Sequence, residues 1–173
     1  AAVSATVNIA KVVTGLAAAI SHWRFNNIDH RLVLELAIPG CVGAVIGVTV
    51  LANVDGDVIR PVLNGLLLLV GARILLRFSR PLPLAPDPSD DATTTAAGAP
   101  RFDERGTIVV ATTGGVTNGL VGAWGPVVTP YLLHKGLAPR FAVGSVNTAE
   151  VAVATIAAGS IIASFGSGGL DVA

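Results

Sequence analysis

The sequence predicts an all-α fold: a polytopic helical membrane protein with about five spans visible. Hydrophobic residues make up 52% of the chain and charged residues 13%, where a soluble domain carries about 25% charged residues. Mean hydropathy is +0.72. The apolar residues fall in runs long enough to cross about 30 Å of hydrocarbon at about 1.5 Å per residue. One of these runs, between Gly114 and Gly136, is dense in glycine and carries Gly125-Pro126 near its middle. A proline there removes a backbone donor and clashes with the preceding turn, so the span is predicted to break. Lipid tolerates a broken backbone only where protein or a water-filled cavity satisfies the freed groups. Paired half-helices of this kind build substrate sites in transporters.

The first run covers residues 2–22, with Lys11 as its only charge, and Trp23-Arg24-Phe25 closes it with interfacial residues. The second covers 32–53, with Glu35 near its start, and contains Gly43 and Gly47 four residues apart. Bare faces at that spacing let a second helix approach closely, so these glycines are read as packing residues. Val54-Asp55-Gly56-Asp57 is a turn without the later acidic ligands that a calcium loop needs. The third run, 58–78, is Leu-rich, and Arg73 and Arg77 in its last turns are read as headgroup anchors. Prolines, acids and threonines then dominate residues 79–106, which reads as a flexible aqueous linker. The broken span occupies 107–133, and a last Ala-, Val- and Gly-rich run, 141–165, carries Glu150. The expected organisation is three spans of a first repeat in 1–78, the linker 79–106, and the broken span plus the following span of a second repeat in 107–173.

If every run crosses, the 24–31 loop, the linker and the tail share one side with Arg24, Arg31, Arg77, Arg80, Arg101 and Arg105. Arg60, Lys135 and Arg140 fall on the other. The bias of basic residues predicts a cytoplasmic linker in a multi-pass protein of the cell (inner) membrane.

The first and last runs match without gaps. Ala5-Thr6-Val7-Asn8-Ile9-Ala10-Lys11-Val12 lies over Gly144-Ser145-Val146-Asn147-Thr148-Ala149-Glu150-Val151, an offset of 139 (147 minus 8). This predicts a duplication whose two copies cross in the same direction, one of the known transporter plans. It also predicts a copy of the broken span before Ala1 and copies of the second and third runs after Ala173. The absence of methionine and of a signal-peptide n-region before the first run fits a chain that is part of a longer one.

The residues Gly119-Leu120-Val121-Gly122-Ala123-Trp124-Gly125-Pro126-Val127-Val128-Thr129-Pro130, followed by Tyr131-Leu132-Leu133 and then Phe141-Ala142-Val143-Gly144-Ser145-Val146-Asn147, resemble the TauE/SafE family of sulfite-exporter-like permeases. That family shows a glycine cluster, a proline, a leucine run and an Ala-x-Gly-Thr/Ser opening of the next helix. Trp124 and Pro126 stand where it usually has glycine. The resemblance implies two repeats of four helices each. It also implies a secondary permease for sulfite, thiosulfate, sulfonates or related small organic anions.

Lys11 and Glu150 each sit near the centre of a span, where a charge costs about 2.5–3.5 kcal/mol on insertion scales. Their equivalent repeat positions predict that they meet, and pairing offsets much of that cost. The pair is either a static lock or part of transport, Lys11 attracting the anion and Glu150 carrying a coupling proton. Asn8 and Asn147, three residues before those charges, either donate to substrate oxygens or bond between helices. Thr117, Asn118, Thr129 and Thr148 share that ambiguity, and Gly122, Gly125 and Pro126 form the break itself. Amides from Val127 onward are expected to face the break and favour an anion. Trp124 either gates the path by its bulk or is an ordinary packing or interfacial tryptophan.

A formal net charge of zero without a basic stripe argues against nucleic acid. Cys41 is alone, so neither an internal disulfide nor a cysteine zinc cluster is expected. No HExxH, CxxC or P-loop pattern is present, so no enzyme chemistry, cofactor or metal is expected. The partners foreseen are a small anion, the lipid bilayer, a proton or other coupling ion, and further copies in a homo-oligomer. The alternative to transport is a non-transporting membrane subunit that binds partner helices through its small-residue faces and intramembrane charges.

Overall fold

The computed structural model describes residues 2–79 and 104–166. These hold six helices and no strand: α1 (Ala2–Arg24), α2 (His30–Asn53), α3 (Gly56–Phe78), α4 (Thr107–Val121), α5 (Gly125–His134) and α6 (Pro139–Phe165). The expectations for residues 80–103, with Arg80 and Arg101, and for the tail from 167 lie outside the described residues, as does the Arg77 side chain. Three helices, His30–Asn53, Asp57–Leu76 and Pro139–Phe165, are long and apolar enough to cross a membrane, and Thr107–Val121 is a shorter apolar helix.

Local chemistry sets the helix ends. Asp29 caps α2, its carboxylate accepting from the amides of Arg31 and Leu32, a contribution of about 1 kcal/mol. Pro139 opens α6 from a position where its missing N–H costs nothing. Gly122 ends α4 in the left-handed region, at φ 74°, and its amide donates to Asn118 O. A side chain there would be strained, so glycine fits this reversal.

That reversal changes the topology. Residues 107–133 were expected to form one broken crossing, but the chain turns back at Gly122-Ala123-Trp124 and α5 returns along α4. Thr117 donates its hydroxyl to Ala123 O at 2.6 Å, Gly114 lies beside Val128, and the Tyr131 hydroxyl donates to Arg105 O at the start of α4. The break falls just before Gly125-Pro126, because Gly122 supplies the positive φ and Pro126 is accommodated in the first turn of α5. The two arms form a helical hairpin whose tip, with Asn118 and Trp124 buried, lies inside the bundle.

A returning hairpin leaves α6 starting where α4 started. Consequently α1 and α6 run antiparallel, correcting the expectation that they cross in the same direction. His22 near the end of α1 lies against Gly144 near the start of α6, and Lys11 meets Glu150 deeper in both. One end of the molecule thus gathers the α1–α2 loop, the start of α4 and the α5–α6 turn. Asp29 N donates to Ser145 Oγ there, and Arg31 pairs with Glu104 at 2.9 Å.

Helices α2 and α4 run parallel in close contact through small residues. Cβ atoms added at Gly43, Gly47, Gly115 or Gly119 would overlap the facing backbone, so only glycine allows this approach. The core closes over that seam with Leu32, Leu36, Ala44, Val48, Ala111, Trp124, Val128, Leu132, Val146, Ala149 and Val153. Helix α3 stands largely apart, with 6% of its apolar window buried against 39% for α2.

Candidate functional site

The hairpin tip, the middle of α1 and the middle of α6 converge on one ammonium group. Lys11 Nζ donates to Glu150 Oε1 at 2.6 Å, to Gly122 O at 2.5 Å and to Asn118 Oδ1 at 3.2 Å. An ammonium has three protons, and these three acceptors match them one for one. The C-terminal carbonyls of a helix carry partial negative charge, so Lys11 serves the end of α4 as well as Glu150. The pair keeps some access, with side-chain exposures of 24% and 16%. It is therefore neither a dry core pair nor a surface one.

Below the ammonium, Asn118 Nδ2 donates to Asn8 Oδ1 at 2.7 Å, and both asparagines are fully buried. The Asn118 amide thus bridges α1 in two directions, its oxygen to Lys11 and its nitrogen to Asn8. Thr117 lies between the carbonyls of Gly114 and Ala123, so its hydroxyl fastens the hairpin turn. Among the described residues no buried side-chain nitrogen or oxygen lacks a hydrogen-bond partner.

Trp124 is enclosed completely. Its ring edge rests against Gly40, with Gly114 and Val153 close by, and Nε1 donates to Val146 O at 3.2 Å. Of the two roles foreseen for this side chain, the geometry is that of packing. The expectation for the α5 amides also changes. Val127 N and Val128 N both donate to Trp124 O, because the first turn of α5 closes on that carbonyl, so they do not face the break as free donors.

The other residues read from sequence stay outside this cluster. Thr148 donates to Gly144 O within its own helix, and Pro126 is exposed. Asn147 is half-buried, with its backbone carbonyl facing Gly15. Thr129 is half-buried on α5, and a Cβ at Gly125 would meet nothing within 4 Å. Sequence reasoning missed Ala123 O, Val146 O and the glycine seat of Trp124. Backbone acceptors carry no residue-type signal, so the glycine spacing was the one available clue. Among the described residues no group of three or more His, Cys, Asp or Glu is placed to hold a metal ion.

Over residues 1–173 the chain matches the protein family described as "Sulfite exporter TauE/SafE". It is 38% identical over 164 residues to a protein of Bacillus subtilis (strain 168) named "Probable membrane transporter protein YtnM". That alignment covers 94% of this chain and 52% of the relative, so the chain spans about half the relative's length. No solved structure matches the chain significantly.

Proposed function

The chain belongs to the TauE/SafE family, and from that premise we propose that it forms part of a secondary transporter for small anions. Its substrates are sulfite, thiosulfate, sulfonates or related organic anions. The observation that carries the reading is the triple engagement of Lys11, which ties two long helices to the tip of the helical hairpin. In this arrangement an anion reaches the ammonium only by displacing one of its three acceptors. Glu150 is the acceptor that a proton can neutralise, so protonation of Glu150 frees Lys11 for the anion and couples the two movements.

The topology of this transporter follows from the hairpin. Because α4 and α5 return to the side they left, Arg24, Arg31, Arg105, Lys135 and Arg140 gather toward one end, with Arg60 near the other. That bias supports a cytoplasmic 79–106 segment in the cell membrane more strongly than simple alternation did. The offset of 139 between α1 and α6 equals the sequence separation of Lys11 and Glu150. Residues related by a twofold axis meet their own counterparts on it. This supports two repeats of inverted orientation, with the pair on the axis between them.

The test is flux into proteoliposomes holding the full-length protein, with sulfite, thiosulfate, a sulfonate and a carboxylate as candidates. Glu150→Gln is expected to abolish the pH dependence of uptake while the protein still folds. Absence of flux for every anion would favour the non-transporting subunit instead. Flux with unchanged pH dependence in Glu150→Gln would retain the transporter and remove the proton role.

A further inference from the structure

Helices α1 and α6 align position by position at the offset of 139, so their surroundings can be compared in the same way. Much of the comparison agrees. Val13, Leu16, Ala17 and Ile20 of α1 are exposed, and so are their counterparts Ala152, Thr155, Ile156 and Gly159 of α6. A full reversal from exposed to buried is confined to one stripe, beside smaller differences such as half-buried Gly15, Ala18 and Ala19 against buried Ala154, Ala157 and Ala158. Thr6, Ala10 and Thr14 are exposed on α1, whereas Ser145, Ala149 and Val153 are fully buried on α6. Positions four apart lie on one helix face, so this is a single seam that is covered on one helix and open on the other.

What covers the α6 stripe is α2. Ser145 Oγ accepts from Asp29 N at the head of α2, and Val153 lies against Gly40. The two helices run parallel, joined through small residues on both sides. Thr6, Ala10 and Thr14 are likewise small, and they repeat the small, small, β-branched order of Ser145, Ala149 and Val153.

We propose that the Thr6-Ala10-Thr14 face of α1 docks a second α2-type helix, an apolar span with a glycine rail, lying parallel to α1 and supplied by the remainder of the same polypeptide. This rests on the inverted-repeat reading above. Three observations select the occupant. The α2·α6 seam supplies its template, and the relative of about twice this chain's length leaves room for it. A second copy of this chain fits poorly, because the face of its α2 that carries Asp29 and Gly40 is already seated against its own α6. The direction is also consistent, since α6 ends at the end of the bundle where α1 starts, and a helix following it would run alongside α1.

Disulfide trapping in the full-length protein tests this. In a Cys41→Ser background, a cysteine at Thr14 or Ala10 is combined with single cysteines walked along the span that follows α6, and copper phenanthroline serves as oxidant. A protease site placed within 80–103 separates the fragments unless they are linked. Linkage between fragments from Thr14→Cys and Ala10→Cys, recurring every three to four positions and at least tenfold weaker from Val13→Cys, is the expected result. Equal linkage from Val13→Cys, no linkage from any position, or linkage only into a dimer overturns the proposal. These substitutions are small and leave the ammonium site intact. Flux of the unoxidised variants therefore reports on transport separately from the docking result.

Discussion

Helices α2 and α3 are consecutive, differ by one residue in length and are both apolar enough to span a membrane, but they use glycine differently. On α2, Gly40, Gly43 and Gly47 press against an indole and the α4 backbone. On α3, Gly65 and Gly71 meet nothing within 4 Å. Hydropathy does not separate these two helices, because lipid and a protein neighbour are equally apolar. Spacing does: glycines three and four apart form one bare strip, while those on α3 fall six apart on different faces. In such a fold a glycine is informative through its period, and a stray one says little.

Substitutions at the two kinds of glycine should give opposite results. The largest effect is expected from Gly115→Leu, whose Cβ would overlap Gly40 O. Because backbone rather than a side chain must give way, the cost should exceed the about 1–3 kcal/mol of ordinary overpacking. Fluorescence-detected size exclusion in mild detergent should show loss of the monodisperse peak, and a normal peak would refute the seam. Next is Lys11→Ala, which strands Glu150, Gly122 O and Asn118 Oδ1 together. Partial exposure of the pair reduces the penalty to about 1–3 kcal/mol, readable as a lowered Tm.

The double exchange Lys11→Glu with Glu150→Lys sharpens that result. A bare ion pair would recover stability, but a carboxylate at position 11 would face the α4 carbonyl end. Recovery is therefore expected to fail, and full recovery of Tm would show that the tip contact contributes nothing. Trp124→Phe comes third, losing the bond to Val146 O for about 1 kcal/mol plus a small void. Gly65→Leu and Gly71→Leu come last, within about ±0.5 kcal/mol of the parent. A Tm drop comparable to that of Gly115→Leu would mean that α3 has a close neighbour.

The helices were legible in the sequence to within a few residues, since membrane hydropathy and terminal prolines, glycines and arginines mark their limits. The meeting of Lys11 with Glu150 was legible too, through the register shared by the first and last runs. The chain reversal was not. Residues 107–133 read as one span because a hydropathy window cannot distinguish a crossing from a return. The signal available was length: α4 has 15 residues and reaches about 22 Å at about 1.5 Å per residue, short of the about 30 Å core. On the proposed topology the return also moves Lys135 and Arg140 to the end of the molecule that holds Arg24 and Arg31, away from where alternate crossing had put them. The seat of Trp124 was not readable, since it depends on which glycines of α2 and α4 face each other in three dimensions.

The contact between Lys11 and Glu150 also bears on ancestry. Were the molecule descended from two identical subunits inserted in opposite directions, the side chain on their shared axis would have faced itself. Two lysines, or two glutamates, would then have repelled each other in a medium that screens them weakly. Opposite signs require the halves to be distinguishable, which identical products of one gene are not. On the duplicated reading, the present arrangement therefore dates from after the copies had become separate coding units or one fused one, and the charges mark that the two halves no longer evolve as equals.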